Sequence, residues 1–196
     1  EPTGEAFNSI VLDEENNRPF NPMVNAGAIA AAELIRGATP DARRAASDSL
    51  FARFAGRPLA VDETVYRSEK DTGHRNRAIA YMMLNSGMLK REPEDILDIY
   101  FRQCSLLVSA RDLAIMGAAL ANDGVNPLTG ERALNAEYVH DVLTVMNSCG
   151  MYNYAGQWSY EIGMPAKSGV SGSILAVIPG QAGIASSRNT TISTMY

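Results

Sequence analysis

Cys149-Gly-Met-Tyr-Asn-Tyr-Ala-Gly-Gln-Trp-Ser-Tyr-Glu-Ile-Gly-Met-Pro-Ala-Lys-Ser-Gly-Val-Ser-Gly-Ser173 is the stretch around which the rest of the chain is organised. It holds the only tryptophan, Trp158, five glycines, and Lys167, one of just three lysines. An apolar run, Ile174 to Ile178, follows directly. This pattern predicts an aromatic loop, a short strand over Pro165 to Val170, a turn, and a second strand. A Lys-Ser-Gly on a strand is chemically pointed, yet alone it reads first as a surface hairpin with one charge.

The chain's 196 residues suffice for one domain with a sizeable core, or a large part of one. Apolar content of 46% and charged content of 20% suit a globular protein. A net charge of -5 without a long basic run argues against nucleic acid as a partner. No apolar segment reaches the roughly 20 residues that span a bilayer, so no membrane is expected. Cys104 and Cys149 make neither a metal spacing nor a disulfide framework. A reduced, cytoplasmic setting is the simplest expectation. The chain opens on the turn-like Pro2-Thr3-Gly4 and a strand-like Phe7 to Leu12, and reads as a fold joined partway along.

Asp13 to Pro22 reads as a loop. Asn25 is expected to cap the alanine-rich helix that follows, with Gly37 as its stop. A second helix covers Asp41 to Phe54, with Leu50, Phe51 and Phe54 as its apolar face and Arg43, Arg44 and Asp48 solvated. The polar segment Tyr66 to Asn76 leads into a helix carrying Ile79, Met82 and Met83. Glu69 and Asn76 lie about two helical turns apart, an inference that Gly73 weakens. Pro93 opens a helix that is apolar on both faces and therefore buried, Tyr100 included. Ser109 and Asp112 form a capping box for the next helix, which Gly124 ends. Asn135 caps one more helix, which runs into the opening stretch. Gln181 to Ala185 suits a further strand, and residues 185–196 form a divergent polar tail. No repeat or linker divides the chain, so a single, partial domain is expected.

Six ordered motifs carry a resemblance. They are Asn-Pro-Met-Val-Asn-Ala-Gly-Ala-Ile (21–29), Ser-Glu-x5-Arg-Asn (68–76) and Asp-Ile-Tyr-Phe-Arg-Gln-Cys-Ser (98–105). Asn-Pro-Leu-Thr-Gly-Glu-Arg (126–132), Ser-Cys-Gly-Met-Tyr (148–152) and Pro-Ala-Lys-Ser-Gly-Val-Ser-Gly (165–172) follow. Together they resemble the serine-dependent glutaminases, which hydrolyse L-glutamine to L-glutamate and ammonia. The resemblance implies an α+β fold like that of β-lactamases and transpeptidases, with helices packed on an antiparallel sheet, here incomplete at both ends. It implies substrate binding by Asn25, Glu69, Asn76, Tyr100, Tyr152 and the backbone N–H of Val170. It also implies no cofactor, no metal, and a homo-oligomer, dimer or tetramer.

These residue types suit the chemistry. Glutamine brings an ammonium, a carboxylate and a neutral amide. Glu69 can pair with the ammonium, while Asn25 and Asn76 can hydrogen-bond the amino-acid head. Amide hydrolysis needs a nucleophile, a proton carrier and oxyanion donors. Val170 N–H fits the last role. Tyr152 fits the proton relay, provided that Lys167 lowers its pKa.

The chain departs from the family in two respects, the polar tail, where the family continues with a further strand and a helix, and a missing motif. The Ser-x-x-Lys that carries the nucleophile occurs nowhere, because Arg67, Gly87 and Met164 precede the three lysines by three positions. The expectation is a central fragment that holds most of the pocket without the attacking serine. Two alternatives stand beside it. One is an inactive glutamine-binding or interaction module. The other is a penicillin-interacting serine hydrolase, suggested by Lys167-Ser168-Gly169 in the absence of any Ser-Asp-Asn.

Overall fold

The computed structural model describes residues 11–188 and the backbone of Ile192–Ser193. The expected turn at Pro2 and all but the end of the Phe7–Leu12 strand lie outside the described residues. Eight α-helices and five strands are described. The first five helices are α1 (Asn25–Glu33), α2 (Pro40–Ala55), α3 (Glu63–Thr72), α4 (His74–Asn85) and α5 (Pro93–Cys104). They form a layer whose core joins Ile29 of α1, Ile79 and Met83 of α4, and Leu97, Tyr100 and Phe101 of α5. The helix at Pro93 is buried on both faces, as its two apolar stripes require.

The second half builds the sheet. Here β1 (Leu107–Val108), α6 (Ala110–Ala121) and α7 (Ala136–Cys149) precede a 3-10 turn at Tyr152–Tyr154, then α8 (Ala155–Glu161). Strands β2 (Ala166–Gly169), β3 (Ser173–Ile178) and β4 (Ala182–Ser187) pair antiparallel in the order β2-β3-β4, and β5 (Ile192–Ser193) pairs with β1. The register sets Lys167 opposite Leu175. Leu120, Val139, Leu143, Met146 and Val177 fill the space between α6, α7 and the sheet. Two glycines let α6 lie flat on the strands: a Cβ on Gly183 would stand 2.1 Å from Ala118 N, and one on Gly117 2.6 Å from Leu175 Cδ1. The fold is thus α+β, with helices on an antiparallel sheet, as expected.

The capping box at Ser109 and Asp112 is formed in full. Several local expectations are corrected. Val24, not Asn25, occupies the cap position of α1, because the Asn25 side chain is engaged elsewhere. The helix ends at Glu33, ahead of Gly37, where the Arg91 guanidinium donates to the Glu33 carbonyl at 2.7 Å and takes up an orphan acceptor. Asn135 holds its cap position without a side-chain bond.

The supposedly solvated face of α2 is the packed one. Arg43 and Ser47 are buried while Leu50 is exposed, because Arg44 and Asp48 pair with Asp98 and Arg102 across α5. The aromatic loop is helical over Tyr152–Glu161, closed where Trp158 Nε1 donates to the Met164 carbonyl at 2.8 Å. Finally, the polar tail placed from residue 185 begins inside β4.

Candidate active site

The expected site residues fall into two groups, linked by a hydrogen bond from Asn21 to the Cys149 carbonyl. The first lies on α1, α3, α4 and α5. Asn25 opens α1 with φ at +32°, a region that asparagine tolerates better than most residues. Its Nδ2 donates to Asn76 Oδ1 at 2.9 Å. Asn76 is buried near the start of α4, whose Ile79 and Met83 anchor the helix in the core. The turn before α1 folds tightly over the first helical turn: a Cβ on Gly27 would come within 2.1 Å of the Asn21 carbonyl.

Tyr100 is only 2% exposed, with its ring 5.9 Å from that of Phe101. Glu69 sits half-buried on α3, and burial holds its carboxyl above the ordinary carboxylate range. Burial, and then the Glu69 charge, push the Cys104 thiol up, which sets Glu69 beside α5. Glu69 and Asn76 do not share one helix, because the chain breaks at Gly73. A Cβ there would meet Phe101 Cζ at 2.6 Å, so the break lets α3 settle on the Phe101 ring.

The second group stands on β2 and the turn after α7. Lys167 Nζ lies 4.2 Å from the centroid of the Tyr152 ring and donates to the Ser168 carbonyl. Burial lowers the Lys167 ammonium to about 8. Burial also raises the Tyr152 phenol. The expectation that Lys167 would lower Tyr152 is therefore not met: the ammonium faces the ring, not the hydroxyl, and desolvation dominates. Val170 follows β2 in the turn toward β3 and is 63% exposed.

Two residues outside the expected set hold the groups in place. Gly150 carries the end of α7 onto β2. Ser168 N–H donates to its carbonyl at 3.1 Å, and a Cβ on it would sit 1.8 Å from the Ala166 carbonyl. That contact brings Tyr152 beside Lys167. Asn21 bridges the groups: Nδ2 donates to the Cys149 carbonyl at 3.3 Å, while Oδ1 accepts from Met23 N–H at 2.9 Å. Asn25, four residues on, then meets Asn76. The sequence signals for both were faint, an Asn-Pro turn and a glycine after a helix.

A carboxylate, two amides, a phenol and a lysine poised near neutrality can together hold a zwitterion and move a proton. Among the described residues, no group of three His, Cys, Asp or Glu is placed to hold a metal ion. No described helix is long and apolar enough to cross a membrane.

Comparison with known proteins gives one answer. The glutaminase family model matches residues 1–187. A glutaminase of Trichormus variabilis is 58% identical over 94% of this chain, and the chain spans 55% of that relative's length. The solved structure of a probable glutaminase, ybaS, superposes with a TM-score of 0.90 at 41% identity, covering all of this chain and 62% of that one. A structure of Mglu in its glutamate form gives 0.84 at 41% identity, covering 94% of this chain and 42% of that one. The neighbours share the β-lactamase-like arrangement of helices on an antiparallel sheet. The chain belongs to the glutaminase family.

Proposed function

We propose that the protein hydrolyses L-glutamine to L-glutamate and ammonia, and that these residues form most of its substrate pocket. The observation that carries this reading is the Asn25–Asn76 amide pair at the joint of α1 and α4, next to the helix that bears the half-buried carboxylate Glu69. Those groups suit an amino-acid head: Glu69 for the ammonium, the amides for the carboxylate. That Mglu is known in a glutamate form supports the same ligand class.

In this reading the side-chain amide of glutamine extends toward β2. The Val170 N–H stabilises the oxyanion there. Tyr152, protonated because burial raises it, donates a proton toward the departing nitrogen, and Lys167, near 8, accepts one. Tyr100 walls the pocket from α5. The nucleophile is a serine of a Ser-x-x-Lys that these 196 residues do not contain. The 196-residue chain then binds glutamine without releasing ammonia.

The test is direct. Ammonia release from glutamine by the purified chain, abolished by Tyr152→Phe, would overturn the assignment of the nucleophile. A second reading, a glutamine-binding module without catalysis, is favoured by the same missing motif; it fails when a gene product that carries a Ser-x-x-Lys ahead of these residues turns glutamine over. We further infer a cytoplasmic homo-oligomer, with the exposed apolar Leu128, Tyr138 and Tyr160 available to an interface. Light scattering that gives a monomer mass would refute the self-association.

A further inference from the structure

Helix α3 carries Glu69, yet none of its residues is fully buried. A helix is ordinarily seated by an apolar stripe, so something else must fix this one. Its ends are tied by the backbone: Asp62 N–H donates to the Ser105 carbonyl at 2.8 Å, and Arg77 donates to the Lys70 carbonyl at 2.7 Å. Between these ties the Tyr66 ring rests against the core, and the polar grip comes from one carboxylate on α5. Asp98 accepts from Tyr66 Oη at 2.5 Å and from Lys70 Nζ at 2.5 Å, and Arg44 of α2 adds a bond at 2.8 Å.

Asp98 is 14% exposed at its side chain and is flanked by the fully buried Leu97 and Ile99, so it cannot move without moving α5. Tyr66, Lys70 and Gly73 fall at i, i+4 and i+7, one face of the helix. Glu69 is the sequence neighbour of the gripped Lys70 and is half-buried, close enough for its charge to raise the Cys104 thiol.

We propose that Asp98 is a positioning residue for substrate recognition: by holding Tyr66 and Lys70 it sets the rotation of α3, and so the direction in which Glu69 presents its carboxylate. This rests on the reading in which Glu69 binds the substrate ammonium. Released from Asp98, α3 keeps only the packing of the Tyr66 ring and its seat against Phe101 to resist rolling between its two end ties. Glu69 then turns toward solvent, where it is hydrated and no longer aimed. The role is distinct from stability, since ion pairs as exposed as Lys70 contribute little to folding.

Calorimetric titration of the full chain with L-glutamine tests this. Asp98→Asn, and independently Lys70→Met, weaken binding about tenfold, an effect of the size expected for losing one aimed charge-assisted bond. Lys70→Arg restores it. Asp48→Asn serves as the control: it breaks the Arg102 pair one turn further along the same face of α5, without touching Asp98, and leaves affinity unchanged. In a Glu69→Gln background, Asp98→Asn adds no further loss, because its effect passes through Glu69. If Glu69→Gln weakens binding while Asp98→Asn and Lys70→Met do not, the positioning role is wrong and the substrate reading stands. If Glu69→Gln binds as tightly as the wild type, the substrate reading itself fails.

Discussion

The Lys167 ammonium stacks on the face of the Tyr152 ring, 4.2 Å from its centroid, instead of meeting its hydroxyl. Burial therefore acts on both groups separately. It lowers the lysine to about 8 and raises the phenol. The chain has only two other lysines, Lys70 and Lys90, and Asp98 holds Lys70 above its ordinary range. Competitive acetylation across pH 7 to 11, read by peptide mass spectrometry, should give Lys167 a midpoint near 8 and Lys70 one above the usual lysine value. Because the unfolded chain keeps Lys167 protonated up to about 10.4, this residue makes stability rise with pH between those two values. Coincident midpoints for Lys167 and Lys70 would refute the burial of Lys167.

Gly150 brings the end of α7 onto β2, with no room for a methyl group against the Ala166 carbonyl. Gly150→Ala should destabilise the fold by about 1–3 kcal/mol, the range for overpacking a tight contact. It should also separate Tyr152 from Lys167 and shift the Lys167 midpoint back toward that of a solvated lysine. A variant with unchanged thermal stability and an unchanged midpoint would show that the contact is loose.

Asp112 is buried, accepts from Arg57 at 2.6 Å and closes the capping box of α6. The Arg57 bond outweighs desolvation and holds its carboxyl at about 2. Unfolded aspartate titrates near 3.9, so the stabilisation is fully present above that value and is lost as pH falls toward 2. Asp112→Asn should cost on the order of 2 kcal/mol at pH 7, with the two proteins converging near pH 2. Urea midpoints across that range measure it; a gap that persists at pH 2 would contradict the linkage.

The Asn25–Asn76 bond aims both amides, so removing one partner disturbs both. A hydrogen bond of this kind contributes about 1 kcal/mol. Asn76→Ala should therefore weaken L-glutamine binding roughly fivefold to tenfold while leaving Lys167 titration unchanged. Undiminished affinity would remove the amide pair from the pocket.

How far the sequence could be read follows from the range of each interaction. The helix at Pro93, the capping box at Ser109 and the β2–β3 hairpin rest on local periodicity and turn chemistry, and their extents were legible. Arg43, Arg44 and Asp48 were misread because α2 is seated by ion pairs to α5, partners some fifty positions away that no window on one helix contains. Asn25 looks like a cap in its own window for the same reason: its partner, Asn76, lies 51 residues on.

The six motifs pointed to Asn25, Glu69, Asn76, Tyr100, Tyr152, Lys167 and Val170 together. Asn21, Asp98 and Gly150, which only hold these in place, fall within the same motifs, and nothing in the motifs separates them from residues that touch substrate. Read locally, Asp98 is one of several charges on its helix, Gly150 a glycine after a helix, and Asn21 a polar residue in a turn.

The most direct test is the titration of the purified chain with L-glutamine by calorimetry, with Glu69→Gln alongside. Saturable 1:1 binding by the wild type, weakened about tenfold or more in the variant, is the predicted result. No binding by a folded wild-type chain, or equal binding by both, would contradict the assignment of these residues to the glutamine pocket.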